Sequence, residues 1–266
     1  MSGNKFFDFI FGPQKEDDIK VVEVGKQDQK DYKIYFTRKL SNNQIEIISP
    51  FHGINLGLKN DVVNMVVEIP KNRTEKLEIN KDLDFNPLKY DIKDNKIREI
   101  KYTAFRSNIP GYPFNYGAIP QTWENPNKHD PRTGFVGDND PLDAIDISEY
   151  SSPPGTIKKV KVLGAFAMID NRETDWKIIC IDINDSKAKN YNDIYDVPFG
   201  QIYMIEDFLR NYKTSEGKPQ NEFYKTMIWD KNESIKIIKD LHDEWKHLMK
   251  TKESDIKLKK SKIYKK

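Results

Sequence analysis

The spacing of apolar positions changes character after Ile183. Between Tyr32 and Ile183 the apolar residues come in short runs rich in Val, Ile and aromatics: YKIYFTR, IEIIS, VVNMVVEIP, KLEI, PLDAIDI, VKVLGAFAMID and WKIICIDI. Asn, Asp, Gly and Pro bound these runs, the punctuation of strands joined by turns. Short strands in such succession predict a small barrel or sandwich, not alternating βαβ units. Beyond Ile183 the period lengthens. QIYMIEDFLRNY places Ile202, Ile205, Leu209 and Tyr212 on one helical stripe. A second helix is expected from Asn232, its proposed N-cap, with Ile235, Ile238, Leu241, Trp245 and Leu248 facing the core. The expected class is α+β, mainly β, with covering helices. Residues 1–31 read as a charged, weakly periodic arm, 32–250 as the folded domain, and 251–266 as a basic, solvated tail.

The chain has 266 residues, enough for one sizeable core. With 32% charged residues but a net charge of only +2, no global field selects nucleic acid as partner. No apolar run approaches the roughly 18 residues of a membrane span. The start, MSGNKFFDFIFGPQ, is short, interrupted by Asp8, and lacks a cleavage pattern, so it reads as an arm and not a signal peptide. The single cysteine, Cys180, lies in an apolar run and reads as a buried strand residue. One cysteine permits no internal disulfide, which fits a reducing, cytoplasmic setting.

Candidate chemistry concentrates in VGDNDPLDAID. Asp138, Asp140 and Asp143 fall within six residues, with Pro141 fixing the chain direction between them. If Asp138 and Asp140 are extended they share a face, and a turn at Pro141 can bring Asp143 to the same place. Carboxylates so close repel, and one or more is driven to hold a proton unless a hard dication such as Mg²⁺ lies between them. The spacing also suits a solvated acidic turn. A second acidic group, AMIDNRETDWKIICID, reads as a hairpin turning through Asn171–Thr174, with Asp170 and Asp175 flanking the turn and Lys177 on the face of Asp175. Lys76, Glu78 and Glu68 form a comparable set that ordinary cross-strand ion pairs would also explain.

Phosphate-type donors are available as well. Tyr112 and Tyr116 sit in a Gly- and Pro-rich loop, where a phenol either donates to an oxyanion or fills the loop core. Arg98, Tyr212 and Lys213 are further donors or cations. The four histidines show no ligand spacing within the aspartate segments, and no Walker-type loop is present.

The run GDNDPLDAIDI resembles the signature of soluble family I inorganic pyrophosphatases, eukaryotic type. NMVVEIP, KLEI, NYGAIPQTWENP, LGAFAMID, ETDWKIICIDIND, NDI and EGKP agree with that family in the same order, over roughly Tyr32 to Lys250. The resemblance implies a five-stranded OB-like β-barrel with flanking α-helices, and Mg²⁺-dependent hydrolysis of pyrophosphate to two phosphates by activated water. Asp138, Asp143, Asp170 and Asp175 would serve the metals, Asp140 the attacking water, and Glu68 and Glu78 as supporting acids. Lys76, Arg98, Tyr116, Lys177, Tyr212 and Lys213 would bind substrate, with Tyr112 near the leaving group. The link EIKYTAFRSNIPG is longer than usual in the family, which leaves Arg98, Lys101 and Arg106 as alternatives for the phosphate arginine. The family also implies a homodimer that needs neither nucleic acid nor membrane. A phosphohydrolase of longer polyphosphates is the alternative activity.

Overall fold

The computed structural model describes residues 19–251; residues 1–18 of the expected arm and 252–266 of the expected tail lie outside the described residues. In chain order the strands are β1 (Ile19–Val24), β2 (Lys33–Lys39), β3 (Ile45–Ile48), β4 (Val62–Ile69), β5 (Leu77–Ile79), β6 (Leu88–Tyr90), β7 (Ile92–Lys93) and β8 (Lys96–Ile97). There follow β9 (Asn115–Ala118), β10 (Val136–Gly137), β11 (Asp143–Asp146), β12 (Ile157–Asp170), β13 (Glu173–Asp182) and β14 (Glu222–Asp230). One α-helix, Phe199–Asn211, precedes β14, and another, Lys231–Thr251, follows it. The mainly-β reading stands, and each apolar run named above contains a strand.

Strand structure also extends beyond the expected region. β1, within the expected arm, pairs antiparallel with β2 along its whole length. β14 lies in the stretch read as helical and pairs antiparallel with β12. The smaller sheet runs β1-β2-β6-β5, with β3 on β2; the larger runs β10-β13-β11-β9-β4-β12-β14, and β12 also pairs with β13.

Side-chain parity in the larger sheet decides where the polar groups go. Along β12, Val160 and Val162 face one apolar cluster with Met65, Ala144 and Ile178. A register shift between Val162 and Gly164 then resets the alternation, as an extra residue in a strand must. Beyond it Ala165 and Ala167 continue into that cluster, while Phe166 and Met168 face a second one with Ile145, Ile179, Ile205 and Phe208. Asp170 follows Phe166 and Met168 in alternation. On β13, Asp175 and Lys177 share the parity of Ile179, and on β11 Asp143 shares that of Ile145. The acidic residues therefore continue the face that the Phe199–Asn211 helix covers.

That helix buries Ile202, Ile205, Phe208 and Leu209. Tyr212 falls just past its end, in a 3-10 turn (Tyr212–Glu216) that Gly217 closes at φ 75°, a left-handed conformation suited to glycine. The C-terminal helix starts one residue before Asn232, and Asp230 is its cap: its Oδ1 accepts from the Glu233 amide at 2.9 Å. Ile237, Ile238 and Leu241 meet the first cluster, and Trp245 and Leu248 enter a third, around Phe36 and Leu88 of the smaller sheet.

Candidate active site

The hairpin between β12 and β13 turns through only two residues. Asn171 and Arg172 have φ of 49° and 68°, so the turn is tighter than the expected Asn171–Thr174 and matches the right-handed strand twist. Asp175 and Lys177 leave β13 on one face as expected. The Lys177 ammonium donates to Asp175 at 2.5 Å and to the Tyr116 hydroxyl at 3.0 Å, and also pairs with Asp143. Parallel pairing of β11 with β13 sets Asp143 beside Lys177, and antiparallel pairing of β11 with β9 sets Tyr116 beside Ile145.

Asp138 and Asp140 do not alternate along one strand, since β10 ends at Gly137. Asn139 between them has φ 70°, and the Asp138 carboxylate accepts from the Asp140 amide at 2.9 Å. This Asx turn presents both side chains inward without strand alternation. Asp140 is nearly half exposed and pairs with Lys81, whose ammonium also donates to the Asn139 carbonyl at 2.8 Å.

The fourteen residues marked from sequence, Glu68, Lys76, Glu78, Arg98, Tyr112, Tyr116, Asp138, Asp140, Asp143, Asp170, Asp175, Lys177, Tyr212 and Lys213, all line one cavity of about 220 Å³. Each cation is held by acids. Lys76 binds Glu78 at 2.5 Å, and Lys213 pairs with Asp170. Arg98 reaches Asp91 at 3.0 Å and grips Glu216 through two nitrogens, at 2.8 and 2.6 Å. That grip holds the Glu216 carboxyl down at about 2. Arg106 lies instead over the Phe105 ring, and Lys101 pairs with exposed Glu99; Arg98 is the one of the three that lines the cavity. Tyr112 is buried against Tyr116, Phe114 and Phe208. Burial raises the Tyr212 phenol to about 12 and pushes Tyr112 and Tyr116 up as well, keeping all three neutral donors.

The acids are under electrostatic stress. Burial, then the charges of Asp175, Asp140 and Asp143, pushes the Asp138 carboxyl well above its usual range. Burial lifts Asp175 to about 7 although Lys177 opposes it. Glu68, held by the Ile79 amide at 2.7 Å, is raised by burial and by Asp143.

Glu124, in NYGAIPQTWENP, was not among the residues expected from sequence. It is 1% exposed, and its carboxylate, with those of Asp138 and Asp175, places oxygens within 4.8 Å of one another. One Glu124 oxygen accepts from the Trp176 amide at 3.0 Å; the other is buried with no partner. Buried carboxylates so gathered fit a hard dication, for which they are the preferred donors. Its signal was an acid in a Gly- and Pro-rich loop that already carried other candidates.

A sequence profile described as inorganic pyrophosphatase matches residues 65–246. The inorganic pyrophosphatase of Homo sapiens is 46% identical over 217 residues, 80% of this chain and 74% of that protein. That of Dictyostelium discoideum is 43% identical over 240 residues, 87% of this chain and 81% of the other. Among solved structures, inorganic pyrophosphatase from Schistosoma japonicum matches with a TM-score of 0.79 and 40% identity, over 86% of this chain and 80% of that one. The truncated vacuolar soluble pyrophosphatase of Trypanosoma cruzi, solved in complex with PPi, gives 0.81 and 34%, over 87% and 91%.

Proposed function

The chain belongs to the inorganic pyrophosphatase family, and on that premise we propose that it hydrolyses inorganic pyrophosphate to two orthophosphates, with Mg²⁺ as cofactor. One observation carries the reading: acids, cations and neutral phenols line a single cavity. A polyanion delivered with dications needs both signs of charge there, because the acids bind the metals and the cations bind the phosphoryl oxygens.

Asp138, Asp143 and Asp175 would hold the activating dications, with Asp170 serving a substrate-borne one and Glu68 and Glu78 as supporting acids. When bound, Mg²⁺ neutralises charge on the phosphoryl groups and makes water more acidic. Asp140, the more exposed acid of its loop, orients the attacking water and takes its proton. Lys76, Arg98, Tyr116, Tyr212 and Lys213 grip the two phosphoryl groups, the guanidinium by its planar fork and the lysines as point charges. Lys177, tied to Asp143, Asp175 and Tyr116 in the substrate-free chain, is a further cation for the phosphoryl oxygens once substrate arrives. Tyr112 donates near the leaving phosphate. No covalent intermediate is required.

The same reading takes the core as a closed five-stranded barrel. Its support is the pairing path β13–β11–β9–β4–β12, which returns to β13. Residues 32–250 are read as the catalytic domain, with 1–31 an arm and 251–266 a tail. The chain is further read as a cytoplasmic homodimer; sedimentation tests the dimer and cell fractionation the location.

The test of the activity is phosphate release from pyrophosphate. Turnover is expected with Mg²⁺ and should vanish on chelation and return on re-addition. Release that is indifferent to chelator, or seen only with longer polyphosphates, would overturn the reading.

A further inference from the structure

Glu124 reaches the acidic cluster from a segment that the aspartate loop clamps on both sides. The Glu124 amide donates to the Asp140 carbonyl at 2.9 Å, and the Asn139 amide donates to the Glu124 carbonyl at 2.9 Å. Gly137 makes this approach possible: a Cβ there would sit 2.3 Å from the Glu124 carbonyl carbon. The Trp176 amide then fixes one carboxylate oxygen at 3.0 Å, leaving the second buried and without a partner. Among the described residues neither Glu124 nor Asp138 is ion-paired; the Lys177 ammonium goes to Asp143 and Asp175 instead.

We propose that Glu124 is a charged member of the dication site formed with Asp138 and Asp175, its unpartnered oxygen facing the ion directly or through one water. The proposal deepens the functional reading above and rests on it for the presence of a dication. A carboxylate buried this completely needs a partner for each oxygen. Among the described residues the acids gathered with it are Asp138 and Asp175, which a cation between the three would satisfy together. The rival role is a protonated spacer, in which Glu124 donates a hydrogen bond to Asp138 or Asp175 and carries no charge.

Glu124→Gln separates the two roles. The amide keeps the acceptor for Trp176 and mimics a protonated acid, but it supplies no negative charge. The readout is Mn²⁺ binding to the substrate-free protein, followed by the electron paramagnetic resonance of free Mn²⁺, with near-ultraviolet circular dichroism verifying the fold. The tightest site should weaken about 10- to 100-fold, the usual cost of losing a group that holds or orients a metal. Glu124→Asp, which keeps the charge but shortens the reach, should fall between wild type and the Gln variant. Wild-type affinity in Glu124→Gln overturns the proposal. If that variant does not fold, Glu124→Asp decides alone, a several-fold loss supporting the assignment and unchanged affinity ending it. Pyrophosphate hydrolysis by the wild type is measured alongside. Its absence with Glu124-dependent Mn²⁺ binding intact would remove the functional reading and leave the ligand assignment standing.

Discussion

Asp175 feels burial on one side and Lys177 on the other, and burial wins, taking its carboxyl from 3.8 to about 7. The folded, metal-free chain therefore binds a proton there more tightly than the unfolded chain does. The resulting stability is fully present below about pH 4 and is lost as pH rises through 7. With chelator present, this group contributes a fall in the denaturation midpoint over that interval, beside those of Asp138 and Glu68, which burial raises too. Asp175→Asn should make the fall shallower, and saturating Mg²⁺ should reduce it further. Asp140 bears on rate and not on stability. Asp140→Asn should fold and bind metal much as wild type while losing about 10²- to 10⁴-fold in kcat, the usual worth of a positioned base. A near-normal kcat would reject the assignment. The fourteen lining residues were legible chiefly through the family motifs that hold them, since residue type alone also allowed ordinary surface and loop roles for most of them. Glu124 was not, since only its backbone pairing with Asn139 and Asp140 brings it to Asp138.

Elements were legible where periodicity was strong and obscured where a local device overrode it. The runs in β4, β12 and β13 stood out because most residues of these strands are buried. The bulge after Val162 did not, although it decides that Asp170 continues the face of Phe166 and Met168. β14 carries the aromatic and β-branched residues of a strand, but the helical periods on both sides of it mask its alternation. The C-terminal helix begins before its expected cap, Asn232, because Asp230 and Glu233, which have the spacing of a capping box, close its first turn. The loop from β10 to β11 yields a prediction at this scale. Gly137→Ala would drive a methyl into the Glu124 backbone. It should destabilise by about 1–3 kcal/mol, the usual cost of overpacking, and weaken Mn²⁺ binding together with Glu124. Denaturant titration and metal binding on one preparation measure both.

For the whole molecule, a net charge of +2 conceals a strong local concentration of acid. The larger sheet and the Phe199–Asn211 helix pack into one frame whose covered face ends in the cavity, so acids from distant segments meet there. Such a frame should be stabilised by what neutralises it. Mg²⁺ at a hundred times its dissociation constant should add about 2.7 kcal/mol to unfolding, seen as a rise in Tm that chelator reverses. The most direct test of the central claim is anomalous scattering from crystals of this protein grown with Mn²⁺ in place of Mg²⁺. A peak is expected in the cavity at about 2.1 Å from carboxylate oxygens of Asp138 and Asp175, the reach of a hard dication. A cavity without a peak in crystals grown at saturating Mn²⁺, or ions bound only to acids on the outer surface, would contradict it.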